Sequence, residues 1–147
     1  MKFFTINELT ASATARRKGI NNTPGKFEKE NLVALVDNIL DPLREAWGAP
    51  IIVTSGYRCS RLNAVVGGAR TSQHILGQAA DIRTLSDTPA DNRKLRDLIV
   101  MLDLPFDQLI DEYQCDWLHV SYRPKPRKQM LSAIRKANAT IYKDGFI

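Results

Sequence analysis

The chain has 147 residues, 44% apolar and 25% charged, with a formal net charge of +5 at pH 7. That length predicts one domain, residues 1–147, able to bury a core without disulfide or metal staples, and no apolar tract is long enough to cross a bilayer, so no membrane insertion is expected. Two cysteines, Cys59 and Cys115, are too few for a disulfide framework and read as reduced packing residues.

The N-terminal residues 1–8 lack an extended apolar stretch and a small-residue cleavage site, so no export signal is read and synthesis is expected in the cytoplasm. Residues 7–18 outline a short helix with Asn7 as cap and Gly19 as stop. After a loop at 21–25, apolar residues at Phe27, Leu32, Leu35, Val36, Ile39, Leu40, Leu43 and Trp47 follow the 3.6-residue period of a helix with one buried face. Asp41-Pro42 marks a kink or a fresh start, with Asp41 as cap and Pro42 at the first helical position. The β-branched run 51–54 reads as a buried strand ending at Ser55-Gly56-Tyr57-Arg58.

Residues 59–66 suit one or two helical turns before Gly67-Gly68. His74 and Asp81, seven apart, would share a helix face, but Gly77 and the following Ala79-Ala80-Asp81 make a loop running into a strand an equally good reading. Thr88-Pro89 starts a helix to about Leu102. Residues 106–110 and 117–122 read as two strands joined by a turn and able to pair as a hairpin. The tail from Met130 to Ile147 stays open between helix and hairpin. The order of elements predicts an α+β fold with helices on a small sheet.

Basic residues gather at Arg16-Arg17-Lys18 and from Arg123 to Lys136. They favour an anionic partner, nucleic acid or bacterial wall polymer. No glycine-aromatic or zinc-finger pattern accompanies them, so they read as a solvated face and no nucleic-acid partner is expected.

The chain has only two histidines, His74 and His119. With Asp81 they could supply two neutral imidazoles and one carboxylate to a zinc ion, which would leave a net positive centre able to lower the pKa of water from 15.7 to about 7. Asp116, three residues before His119, is the candidate base; on a regular strand the two face opposite sides, so this role requires Asp116 to sit in the preceding turn. Glu112 is held in reserve for the same role. Arg58 is the candidate to stabilise a developing oxyanion. Ser72 could hydrogen-bond substrate backbone, and Tyr57 and Trp117 could form apolar walls. Each has a plainer reading: a core histidine beside Trp117, an arginine pairing a surface carboxylate, an aspartate capping a turn.

Taken together, Ser72-x-His74-x-x-Gly77-x-Ala79-x-Asp81, preceded by Thr54-Ser55-Gly56-Tyr57-Arg58 and Asn63-x-x-Val66-Gly67-Gly68 and followed by Asp116-x-x-His119-Val120-Ser121-Tyr122, resembles the zinc D-alanyl-D-alanine carboxypeptidase and dipeptidase family over about residues 25–125. That family includes phage endolysins cutting L-alanyl-D-glutamate bonds and shares its zinc fold with the hedgehog signalling domain. The resemblance implies a metal on a small central antiparallel sheet packed with helices. It implies one zinc per chain held by His74, Asp81 and His119, with Asp116 as general base and Arg58 polarising the carbonyl. The vancomycin-resistance dipeptidases carry glutamate where this chain has Asp116; aspartate there looks more like the phage and wall-lytic endopeptidase branch. The expected function is therefore hydrolysis of an amide bond in peptidoglycan stem peptides, by a monomer acting at the cell wall after release. The alternative is a noncatalytic zinc-stabilised wall-binding or phage structural module.

Overall fold

The computed structural model describes residues 1–147. Its first segment is two short helices where one was expected: α1 (Ile6–Thr10) and α2 (Ala13–Lys18). Thr5, not Asn7, caps α1, because Thr5 and Glu8 satisfy each other's backbone amides in a capping box. Ser12 then takes the Ala15 amide and starts the second helix afresh.

The long apolar stretch forms α3 (Lys26–Leu35), a π-helical turn (Val36–Leu40) and α4 (Asp41–Trp47). Pro42 has no N–H to give to the preceding turn, and the wide turn before it absorbs the lost bond. Asp41 does not cap α4. Its carboxylate instead accepts the backbone amides of Lys2 and Phe3, which ties the first residues to this helix. Leu32, Leu35, Val36, Ile39, Leu40 and Leu43 are fully buried, whereas Phe27 is 58% exposed and drops out of the predicted stripe.

Strand β1 (Ile51–Ser55), helix α5 (Ser60–Val65), strand β2 (Ala79–Thr84) and helix α6 (Pro89–Met101) follow, so Asp81 lies on a strand reached through a loop. Strands β3 (Gln108–Glu112) and β4 (Trp117–Ser121) pair as the expected antiparallel hairpin. The open question of the tail resolves as a second hairpin, β5 (Gln129–Lys136) and β6 (Ala139–Asp144). The sheet order is β1-β2-β4-β3-β5-β6. Its first four strands are antiparallel as expected; β5 adds parallel to β3, which makes the whole six-stranded sheet mixed. A parallel neighbour needs a crossover, and the proline-containing segment 122–128 supplies it.

Strand alternation then divides the chemistry. Ile82, Leu109, Leu118 and Val120 face the helices and join a core with Leu95 and Ile99 of α6. The register sets Asp81 opposite His119, His119 opposite Ile110 and Ile110 opposite Leu131, and in the next row Trp117 opposite Glu112, Glu112 opposite Ala133 and Ala133 opposite Tyr142. Directly opposed residues share a face, so both rows floor the side of the sheet away from the helical core.

Candidate metal centre

The segment after β1 is a brace for His74. At Gly56 the chain passes so close to Leu9 that an added Cβ would run into the Leu9 backbone. Glycine permits that approach, and the Gly56 carbonyl accepts a hydrogen bond from His74 Nδ1 at 2.7 Å. The Arg58 amide donates to the His74 carbonyl at 3.1 Å. With Nδ1 carrying the proton, Nε2 turns its lone pair into the site, the arrangement that metal-binding imidazoles use.

His74 Nε2 lies 3.3 Å from Asp81 Oδ1, and His119 Nδ1 lies 3.1 Å from the same oxygen. The three candidate ligand atoms fall within 4.8 Å of one another, and all three residues are buried in the cluster. Burial pushes the His74 pKa down, against the pull of Asp81. Burial alone would raise Asp81, but the two histidines outweigh it and hold the carboxyl well below the usual carboxylate range. A neutral His74, its Nδ1 proton on the Gly56 carbonyl, turns its Nε2 lone pair toward the Asp81 carboxylate oxygen 3.3 Å away. A cation reconciles them, and two imidazoles plus a carboxylate is a donor set that fits zinc with a coordination position to spare.

Arg58 reaches the other Asp81 oxygen with Nη2 at 3.4 Å, while Nε donates to Ser55 Oγ at 3.0 Å and Nη1 to Asn63 Oδ1 at 3.2 Å. The guanidinium is thus fixed on three sides; burial lowers its pKa although Asp81 opposes this, and it stays cationic. Gly68 leaves room for this fork, since a Cβ there would press on Asn63 Oδ1 and Arg58 Nη1. Ser72 accepts the His74 amide at 3.2 Å and lines the same cleft, whose volume is about 710 Å³.

Two sequence expectations change here. Asp116 does sit in the turn before β4, but it is exposed and does not line the cleft. Tyr113, Gln114 and Cys115 all take left-handed backbone, φ 51°, 60° and 65°, and Asn92 of α6 holds the Cys115 and Asp116 carbonyls at 3.0 and 3.1 Å. The backbone at Cys115 and Asp116 is therefore tied to α6. Glu112 lines the cleft instead, only 9% exposed and on the same sheet face as His119. Burial pushes its pKa up to about 7, with His119 opposing and the Asp81 and Asp111 carboxylates adding to the rise.

Tyr57 packs into the main core and is not a cleft wall. Trp117 is one, with Tyr113 at 5.3 Å between ring centroids and Tyr142 beside them in the lining. Tyr113, Tyr142, Arg127 and Gln73 were missed by sequence reasoning. Only strand parity on both sides of the turn could have pointed to Glu112. Cys59 and Cys115 are both free, as expected.

The family described as Peptidase M15 matches residues 2–121. The chain belongs to the peptidase M15 family. That match takes in α1 and α2, which the motif resemblance left out, and stops before β5 and β6. No curated protein matches the chain. M15 peptidases depend on zinc, and in this one the His74, Asp81 and His119 cluster is where a metal could be held. No helix of this M15 protein is long and apolar enough to cross a membrane.

At the far side of the M15 cleft, the fully buried Asp107 accepts Arg127 Nε at 3.0 Å and Nη2 at 2.8 Å and pairs with Arg123 at 2.9 Å. Burial would raise its pKa, but the hydrogen bonds and charge of Arg127, with Arg123 behind them, hold it below the usual carboxylate range. A depressed carboxyl stabilises the fold above the unfolded pKa of about 3.9 and loses that contribution as pH falls. Acid unfolding is therefore expected to set in below about pH 4, and Asp107→Asn to flatten that limb in circular dichroism melts at stepped pH.

Proposed function

We propose that this M15 peptidase hydrolyses an amide bond in the peptide stems of bacterial peptidoglycan, with zinc held by His74 Nε2, Asp81 Oδ1 and His119 Nδ1 and with Glu112 as the general base. The observation that carries the reading is Glu112: a buried carboxyl on the face and in the cleft of the candidate metal cluster. A carboxyl so placed is unfavourable for the fold alone, because it is desolvated and no cationic side chain pairs with it. A bound zinc ion supplies positive charge that acidifies water and polarises a carbonyl.

The chain's own residues do the rest. Glu112 takes the proton from the attacking water and returns it to the departing amine, work suited to a pKa near neutrality. Arg58, locked by Ser55, Asn63 and Asp81, offers fixed positive charge to the oxyanion formed on the carbonyl. Ser72 keeps its hydroxyl proton free for a substrate carbonyl, since its oxygen is the acceptor in its bond to His74. Trp117 and Tyr142 border the apolar end. All of these residues come from one chain, so a monomer suffices. A noncatalytic wall-binding module would have no use for Glu112.

Whether the enzyme acts as an endopeptidase or a D,D-carboxypeptidase, its place of action on this reading is the cell wall, in the manner of a phage or bacterial lysin. Purified muropeptides incubated with the zinc-loaded protein should give shortened stems by mass spectrometry, and the products should vanish with a chelator. Intact muropeptides in both arms would end the proposal.

A further inference from the structure

Arg127 stands outside the family match, on the crossover between β4 and β5, yet it lines the same cleft as the candidate metal cluster. Two of its nitrogens are spent on Asp107, and its backbone amide donates to Asp107 Oδ1 at 2.9 Å as well. Nη1 makes no hydrogen bond, and the side chain is 46% exposed. The anchor itself is built: Asp107 is fully buried and also accepts Gln73 Nε2 at 3.0 Å. Gln73, next to His74 in the chain, commits its amide group to Asp107 and Gln78 at the expense of its own Oε1, which is buried without a partner. A buried acceptor left unmade is costly, and here it accompanies a rigid Arg127.

Charge and spacing give the cleft a direction. Two guanidiniums, Arg123 and Arg127, share one carboxylate, so this end keeps a net positive charge. Along β3 the cleft-facing residues are Gln108, Ile110 and Glu112, in steps of about 7 Å. Ile110 lies opposite His119, the aromatic wall lies at the Glu112 end, and Gln108 and Arg127 lie at the other. The Arg127 end thus lies about two extended residues, roughly 7 Å, along the cleft from the metal cluster, a span that a dipeptide covers with its amide at the metal and its carboxylate at Arg127.

Resting on the peptidase reading above, we infer that Arg127, held by Asp107, is the specificity residue that recognises a free carboxylate next to the scissile amide of the substrate. Stem peptides offer two such groups, the C-terminal carboxylate and the α-carboxylate of a γ-linked D-glutamate, and the one Arg127 reads fixes which bond is cut.

The test compares the stem pentapeptide L-Ala-γ-D-Glu-L-Lys-D-Ala-D-Ala with two forms, one amidated at the glutamate α-carboxyl and one at the C-terminus. Zinc-loaded wild type should favour the free acid over one of the amides by about 10- to 100-fold in kcat/KM, and Arg127→Gln should collapse that ratio toward one, with Arg127→Lys between them. A ratio that survives in Arg127→Gln, or an equal loss on every peptide, would overturn the inference. Isothermal titration of the same peptides into zinc-loaded Glu112→Gln protein, with and without Arg127→Gln, separates the two readings. If no peptide is cut but the acid-to-amide preference in binding still depends on Arg127, the hydrolytic reading fails and the carboxylate site stands; equal binding of acid and amides removes the site.

Discussion

Glu112→Gln is expected to lower kcat on muropeptides by about 10²- to 10⁴-fold while the protein still binds one equivalent of zinc, the range that a general acid–base group contributes. The amide keeps the size and burial of the side chain but cannot carry the proton. Asp116→Asn is the matched control: exposed and outside the cleft, it should leave turnover within a few-fold of wild type. The reverse outcome, with Asp116 essential and Glu112 dispensable, would return the base role to the turn. A second readout is independent of turnover. In the metal-free protein the Glu112 pKa is raised from 4.5 to about 7, so the folded state holds a proton that the unfolded state has lost between those values. Its contribution to stability is therefore full below about pH 4.5 and falls as pH rises through 7. Glu112→Gln removes that loss, and metal-free melts should show the variant gaining on wild type as pH rises from about 4.5 to 7 and keeping the gain above, by on the order of 1–3 kcal/mol.

Metal removal is the second large effect. Dialysis against a chelator should abolish hydrolysis, and one equivalent of zinc should restore it. Ligand binding to the native state alone stabilises by about 4 kcal/mol at a thousandfold excess over Kd. For a chain of this size that corresponds to a rise in Tm of about 8–16 °C. Asp81→Asn should remove most of this rise. Asp81 is the only anion among the three candidate ligands, and its Oδ1 faces both histidines at 3.1–3.3 Å. Its zinc affinity should fall by more than the roughly 10- to 100-fold that loss of a mere outer partner costs. A Tm unmoved by zinc in the wild type would dissociate this cluster from metal binding.

Much of this was legible locally. His74 and His119 are the whole histidine content of the chain, so a zinc site using imidazole had no other choice. Thr88-Pro89 announced α6, and the β-branched run at 51 announced β1, because caps and side-chain branching act within a few residues. The Gly56 and Gly68 signals were visible as motif letters, but the reason for Gly56, clearance for the Leu9 backbone, lies 47 residues away, and the reason for Gly68, clearance for the Asn63–Arg58 fork, depends on how the local loop folds.

Element order and strand periodicity by themselves determined the α+β class and the antiparallel hairpin that carries His119, and the motif resemblance supplied the candidate donors His74, Asp81 and His119. Only the tertiary structure decided which carboxylate faces the donors. Glu112 and Asp116 are four residues apart, seven and three residues before His119, and both carry a carboxylate that could serve as base. Three successive left-handed residues and the Asn92 side chain of α6 fix the Asp116 backbone in a turn that leaves its side chain exposed and outside the cleft, while the β3–β4 register leaves Glu112 on the site face. Left-handed backbone at residues other than glycine is uncommon and is stabilised by contacts made elsewhere, so no local pattern announces it. The same holds for Arg127, brought to the cleft by the parallel pairing of β5 with β3 and by the buried Asp107, neither of which exists until the sheet is assembled.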